Sequence, residues 1–598
     1  MITGVDSGGT FTDAVDGEGR VVKVLSTRDD PARAVAAALG ELGSTPPDLL
    51  AHGTTVATNA LLERRGAIVA LVTNEGFADL IEIARQDRPS LYDPFVDRPE
   101  PLVPRSLRYE VGGRLVADGS ELAPVDIGAV PRLDDRVEAV AVCLLPSDLS
   151  SDHEDAVGAE LEGRGHDVSL SSVVSPEFRE YERALTTVVN AYLRPSCRAY
   201  LAGLAGLAGE VLVLTSAGGL VPVADGAAVP AALLLSGPAG GVRAGAAVAV
   251  ANGFADAITF DMGGTSTDVC LVRGGLPEPA PGRRVGGFPI RLPSLDVHTI
   301  GAGGGSIARL DAGGALVVGP ESAGADPGPA CYGRGGTRPT VTDANLAAGR
   351  IPAGVAFPGL GIRDADAAGA ALSSVGITAA GVLDVVDAGM EQALRTVSIE
   401  RGVDPHGLAL VAFGGAGPLH ACHLADVLGM AAVIVPSRAG VLSAVGMLCA
   451  PRQHDVVRSW PTPSDQDGLD TALAALADEG RARVGGTSEA TVTTAVDVRY
   501  AGQSHELTVA TPADFHAEHR RRNGYARVDA PIEVVALRAQ ARLPPPLAIE
   551  HLPVMERDGA VGPTTISEHD CTIYLPAGWD ARPGELGALV LRRSGKSQ

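Results

Sequence analysis

An eleven-residue pattern stands twice in the chain, 255 positions apart. Val5-Asp6-Ser7-Gly8-Gly9-Thr10-Phe11-Thr12-Asp13-Ala14-Val15 aligns with Phe260-Asp261-Met262-Gly263-Gly264-Thr265-Ser266-Thr267-Asp268-Val269-Cys270, and six of the eleven positions are identical: Asp, Gly, Gly, Thr, Thr and Asp. β-Branched and apolar residues flank both copies, so each predicts a strand, a tight Gly-Gly turn and a second strand. Glycines there let backbone N–H groups approach a phosphate, and a nest of such amides holds an anion. The threonines add hydroxyl donors, and the aspartates are suited to a divalent cation. Two such hairpins facing each other would grip a nucleoside triphosphate from both sides. A glycine-rich chain also has GGT turns that are only turns, but two copies matched at the acidic and hydroxyl positions favour phosphate binding.

At 598 residues the chain is expected to hold two to four domains. Its net charge of −24 argues against a nucleic-acid or anionic-membrane surface. A phosphate must then be held by local amides and a metal ion. Seven cysteines without a CxxC pair suit reduced thiols in the cytosol. With no leader-like start and no apolar run of about 18 residues, a cytoplasmic protein is expected. The 75 glycines and 42 prolines punctuate alternating strand and helix patterns, which predicts a turn-rich α/β protein.

Periodicity predicts helices over 31–42, 55–65, 151–164, 380–401 and 418–428, and strands over 68–72, 139–145, 211–215, 408–413 and 432–435. A long helix over 176–207 is expected to break at Pro195, and 459–464 reads as a linker. The duplication divides the chain into expected units 1–190, 191–455 and 456–598.

Other motifs compete. Gly595-Lys596-Ser597 lacks the leading glycine of a Walker loop. Gly301–Ser306 resembles a dinucleotide loop only weakly. Phe413-Gly414-Gly415-Ala416-Gly417-Pro418 sits at a strand-to-helix junction, where Gly414 and Gly415 would let a nucleotide base or sugar lie against the backbone, or would simply form a sharp turn. His420, Cys422 and His423 suggest a metal trio, but a helix packing face is favoured. Asp296 and His298 alternate along a predicted strand and would orient a water, a metal or a phosphoryl acceptor; a structural Asp–His pair explains them equally. Thr54 or Thr55 caps the helix that follows, or His52–Thr55 lines an active-site mouth. Lys23 reads as a solvated strand lysine.

Together these blocks, with Ala51–Leu62 (AHGTTVATNALL), Ser236–Val242 (SGPAGGV) and Gly319–Gly336 (GPESAGADPGPACYGRGG), resemble the hydantoinase A / 5-oxoprolinase family, within the actin-, hexokinase- and Hsp70-like ATPases. The resemblance runs nearly end to end. It implies two duplicated actin-like (ribonuclease H-like) domains around a cleft, and a smaller C-terminal α+β region. ATP and Mg²⁺ would be held by Asp6, Gly8, Gly9, Thr10 and Thr12 from one side and by Asp261, Gly263, Gly264, Thr265 and Thr267 from the other. Gly414 and Gly415 would lie near the adenosine, and Asp296 and His298 would handle the proton or the attacking oxygen. One departure stands at Ala217, where relatives usually carry asparagine. The implied activity is ATP-dependent phosphorylation of a cyclic amide oxygen (hydantoin or 5-oxoproline type) for ring opening, as an oligomer with a B-type partner subunit. The alternatives are a ketone carboxylase subunit of acetone or acetophenone type, and an ATP-binding regulatory protein.

Overall fold

The computed structural model describes residues 1–598 apart from 28–29, 44–45, 88, 358–360 and 596–598. Lys596 and Ser597 of the rejected Walker-like segment lie outside the described residues.

Both copies of the repeat form antiparallel hairpins, Ile2–Ser7 with Phe11–Asp16 and Ala257–Met262 with Thr267–Arg273. Each hairpin seeds the same arrangement. In the first, Phe11–Asp16 pairs antiparallel with Val21–Leu25, while Ile2–Ser7 runs parallel to Leu49–Thr54 and that strand parallel to Glu210–Leu214. In the second, Thr267–Arg273 pairs antiparallel with Leu276–Pro277, while Ala257–Met262 runs parallel to Ala409–Phe413 and that strand parallel to Ala432–Val435. Strands Leu49–Thr54 and Ala409–Phe413 are buried at every position. They therefore lack alternation, as parallel strands covered on both faces do. The protein is a mixed α/β chain built on several mixed sheets.

Strand pairing crosses the expected unit boundaries. Residue 190 falls inside the helix Glu180–Leu204, and Glu210–Leu214 with Leu220–Pro222 extends the first sheet. The C-terminal region also divides. Gln453–Ser459, Thr491–Tyr500, Leu507–Val509 and Ile532–Arg542 form an antiparallel sheet of their own. Leu589–Arg593 instead returns to the open edge of Ala432–Val435, and Trp579–Pro583 pairs beyond it. The helix Glu180–Leu204 continues through Pro195 without the expected break, and Ser196 Oγ there donates to the Leu193 carbonyl at 3.0 Å. Nor is Ser459 in a loose linker: it donates to Asp148 at 2.8 Å and accepts from the Phe178 amide at 2.8 Å.

Between the two lobes, helices Ser236–Ala251 and Leu442–Leu448 cross where no side chain fits. A methyl added at Gly446 would lie 1.9 Å from the Gly240 carbonyl oxygen, and one at Gly4 would lie 2.3 Å from the Ala444 carbonyl oxygen. Backbone contact at this crossing holds the two hairpins in fixed relation. Among the described residues no single helix is long and apolar enough to cross a membrane.

Candidate active site

Pairing places Asp6 opposite Asp13 in the first hairpin and Asp261 opposite Asp268 in the second. Cross-strand partners project from the same face, so each hairpin presents two carboxylates side by side. The four form one electrostatic group. Burial, then Asp268, then Asp6 and Asp13 of the other hairpin hold Asp261 well above the usual carboxylate range, against the pull of Lys23. Asp6 is pushed up to about 7 by burial and then by Asp13, again opposed by Lys23. Asp268 is pushed up to about 6 by burial, offset by hydrogen bonds from Thr299 and Ser266.

Lys23 is not the solvated lysine expected. Its Nζ lies 2.6 Å from Asp13 Oδ1 and only 11% of the side chain is exposed, because Val21–Leu25 pairs with the hairpin and sets Lys23 directly across from Asp13. In the second hairpin Thr299 Oγ1 donates to Asp268 Oδ1 at 2.5 Å in place of a lysine.

The turn tips are open. Gly9, Gly264 and Thr265 are exposed, and the amides of Gly9, Thr10, Gly264 and Thr265 meet no acceptor among the described residues. These N–H groups are what an anion would use. The second threonines differ. Ser26 Oγ donates to the Gly8 carbonyl at 2.7 Å, so at 3.0 Å it accepts the proton of buried Thr12. Thr267 is likewise buried and donates to the Ala302 carbonyl at 2.6 Å. Each hydroxyl has one proton, so Thr12 and Thr267 buttress their turns and have none to give a phosphate.

Glycine-rich segments close around the carboxylates. Gly53 and Gly237 stand against Asp6, each with 3.4 Å between an added Cβ and its Oδ1. Gly414, at φ +77°, stands against Asp261, where an added Cβ would come within 2.3 Å of Oδ1. The Gly301–Ser306 loop is a brace for the second turn: Gly304 and Gly305 amides donate to the Gly263 and Gly264 carbonyls at 2.9 and 2.7 Å.

Comparison with known proteins identifies the family. The hydantoinase/oxoprolinase N-terminal region matches residues 2–165, and the hydantoinase/oxoprolinase family proper matches 183–456. The chain belongs to the hydantoinase/oxoprolinase family.

Among its relatives, the caprolactamase subunit alpha of Pseudomonas jessenii is 37% identical over 89% of this chain and 86% of its own. An ATP-dependent caprolactamase from the same organism superposes with a TM-score of 0.85 at 31% identity, covering 99% of this chain and 100% of that one. 5-Oxoprolinase 1 of Arabidopsis thaliana is 35% identical over 74% of this chain, which spans 41% of that longer protein. An acetone carboxylase chain shares the fold, with a TM-score of 0.77 at 23% identity over 99% of each chain.

In this hydantoinase/oxoprolinase chain, Asp296 and His298 stand apart from the four aspartates. The strand is interrupted at Asp296, which is ion-paired with Arg401. His298 pairs with Val269, so it projects from the face opposite Asp268 and Thr299. The His420 trio is packing: His420 is buried, bonded to Asp387 at 2.6 Å and Asn345 at 3.2 Å, while His423 is exposed. His52–Thr55 borders the first hairpin, with Thr55 Oγ1 on the Ser7 carbonyl at 3.1 Å and His52 on Tyr200 at 2.6 Å. No side-chain cap forms at Thr55.

The sequence names Asp13 and Asp268 only as aspartates of the repeat suited to a cation and gives Ser26 and Thr299 no role, because these and Lys23 come into place from neighbouring strands.

Proposed function

We propose that this chain is the ATP-dependent subunit of an amidohydrolase that phosphorylates the carbonyl oxygen of a cyclic amide and so prepares its ring for hydrolysis. One observation carries the reading: two glycine turns with free amides, one from each lobe, flank a single group of crowded carboxylates. Asp6 Oδ1 is buried without a hydrogen-bond partner, and carboxylates held this far above their usual range without a cation fit a Mg²⁺ site. Asp6 and Asp261 would hold the ion, which when bound neutralises phosphate charge. The Gly8 and Gly263 amides close the turns on the Phe11 and Ser266 carbonyls, so the amides of Gly9, Thr10, Gly264 and Thr265 would orient the phosphates, and Gly414, beside Asp261, with Gly415 would border the adenosine.

A resonance-stabilised amide is a poor electrophile, and a phosphoryl group on its oxygen turns that oxygen into part of a leaving group. The chain's own residues serve positioning and charge, as in phosphoryl transfer generally. His298, on the far face, and Asp296, through Arg401, support the strand that carries Thr299 to Asp268. The likeness to a caprolactamase alpha subunit supports a B-type partner and an oligomer. Seven free cysteines fit a cytosolic setting.

The test is ADP release by the chain with its neighbouring subunit, against cyclic amides and against ketones with bicarbonate. Release that depends on a cyclic amide supports the proposal. Release only with a ketone and bicarbonate replaces it with carboxylation, and release indifferent to both defeats it.

A further inference from the structure

Arg283 opens the hairpin Arg283–Val285/Phe288–Ile290. This hairpin, reached through the second lobe, lays Val285, Phe288 and Ile290 into the apolar core of the first. The guanidinium is thereby carried into the interface between lobes. Its Nη2 donates to Ser216 Oγ, and its Nε is buried with no acceptor. Burial alone pulls it down to about 9, and among the described residues no carboxylate stands near enough to oppose that. Two other deep arginines are answered by carboxylates, Arg538 by Glu177 and Asp497 and Arg291 by Glu177 and Glu506. A buried guanidinium without an anion is costly unless a ligand supplies one.

Its place relates it to the carboxylates. Ser7 pairs with Thr54, and His52 with Val213, so the chain leaves the sheet at Thr215–Ser216 on the edge that carries Ser7 and Thr54. At the usual spacing of about 4.8 Å per strand, Ser216 lies roughly 10 Å along this edge from Ser7. A second path agrees: the Leu234 carbonyl accepts from Ser216 Oγ at 2.9 Å, and three residues on, Gly237 stands against Asp6. The carboxyl ends of parallel strands are where α/β sheets bind ligands. Arg243 adds positive charge at the same turn through its bond to the Ala217 carbonyl at 3.1 Å, and alanine at 217 offers neither guanidinium a side-chain acceptor.

We propose that Arg283 receives a carboxylate on the substrate, so that this chain selects cyclic amides bearing an acidic group over neutral lactams. The inference rests on the cyclic-amide reading above. A charge-assisted bond of this kind is expected to give the acid an advantage of about tenfold to a hundredfold.

The experiment compares 5-oxoproline with its neutral carboxamide, by calorimetric binding to the full chain with Mg²⁺ and ADP. The acid should bind about tenfold or more tighter to the natural protein. In Arg283→Met the acid should fall to the level of the amide, whose own binding stays unchanged, and Arg283→Lys should keep part of the preference. Should Arg283→Met fail to fold, Ser216→Ala, which frees the guanidinium from its anchor, should weaken the acid and not the amide. Equal binding of acid and amide to the natural protein, or parallel loss of both in the variants, overturns the role of Arg283. If cyclic amides still drive ADP release in that case, the proposed function survives; if none does, both fall.

Discussion

Lys23 Nζ stands 2.6 Å from Asp13 Oδ1, so the first hairpin carries an internal cation at the position where the second relies on the Thr299 hydroxyl. Lys23 also lowers Asp6 and Asp261 from where burial would set them. Lys23→Met should therefore move the acid limb of the turnover–pH profile upward, because a proton leaves the carboxylate group only at higher pH. Breaking a largely buried pair should also cost on the order of 3 kcal/mol in urea unfolding. An unmoved acid limb would separate Lys23 from the site.

Asp6 gives a pH dependence of opposite sign to an ordinary paired carboxylate. Its folded value of about 7 exceeds the ordinary 3.8. It therefore stabilises the cation-free fold below the lower value and loses that contribution as pH rises through the higher. Asp6→Asn should raise the melting temperature of the cation-free protein at pH 8, by up to a few kcal/mol of stability, and leave it nearly unchanged at pH 4. The same variant should lose Mg·ATP turnover by about a hundredfold or more. Identical melting profiles for variant and natural protein would contradict the crowding.

Gly414 tests how closely the second carboxylate is held. A methyl there would meet Asp261 Oδ1 at 2.3 Å, and φ is +77°. Gly414→Ala is expected to push Asp261 aside and cut kcat at least about tenfold, with circular dichroism preserved. Near-normal kcat would show that Asp261 has room to move without consequence.

Arg538 joins the C-terminal sheet to the first lobe. It reaches Glu177 of the first lobe at 2.9 Å and Asp497 of the C-terminal sheet at 2.7 Å, while Arg291 meets the same Glu177 at 2.8 Å. Arg538→Met strands buried Asp497 and leaves Glu177 to Arg291 alone, and should destabilise by about 3–5 kcal/mol. Pairing with Arg538 holds Asp497 below its ordinary value despite burial, so this contribution is present above that value and fades as pH falls through the lowered one. Urea midpoints at pH 7 and pH 3 should differ less in the variant than in the natural protein.

The repeat made the paired hairpins legible, because Asp, Gly and Thr at fixed spacing leave few other conformations. It did not say what the second threonine of each copy faces. Thr10 and Thr265 lie in the turns, whereas Thr12 and Thr267 lie in the strands beyond, with Ser26 behind one and Ala302 behind the other. Lys23 was misjudged for a related reason: a strand lysine reads as solvated until its antiparallel neighbour is known to be Asp13. Alternation would put Asp296 and His298 on one face, but the strand breaks at Asp296 and the face of His298 depended on register with Val269, and long-range register has no local signal. The division of the C-terminal region was hidden for the same cause, since the partner of Leu589–Arg593 lies far back in the sequence.

That return has a bearing on how the protein is made. Until residues 589–593 leave the ribosome, the apolar edge at Val433–Val435 has no partner, and a nascent chain in that state is open to pairing with another copy. Translation speed and chaperone supply while residues 436–593 are made should therefore govern the yield of this protein more than any change near its aspartates.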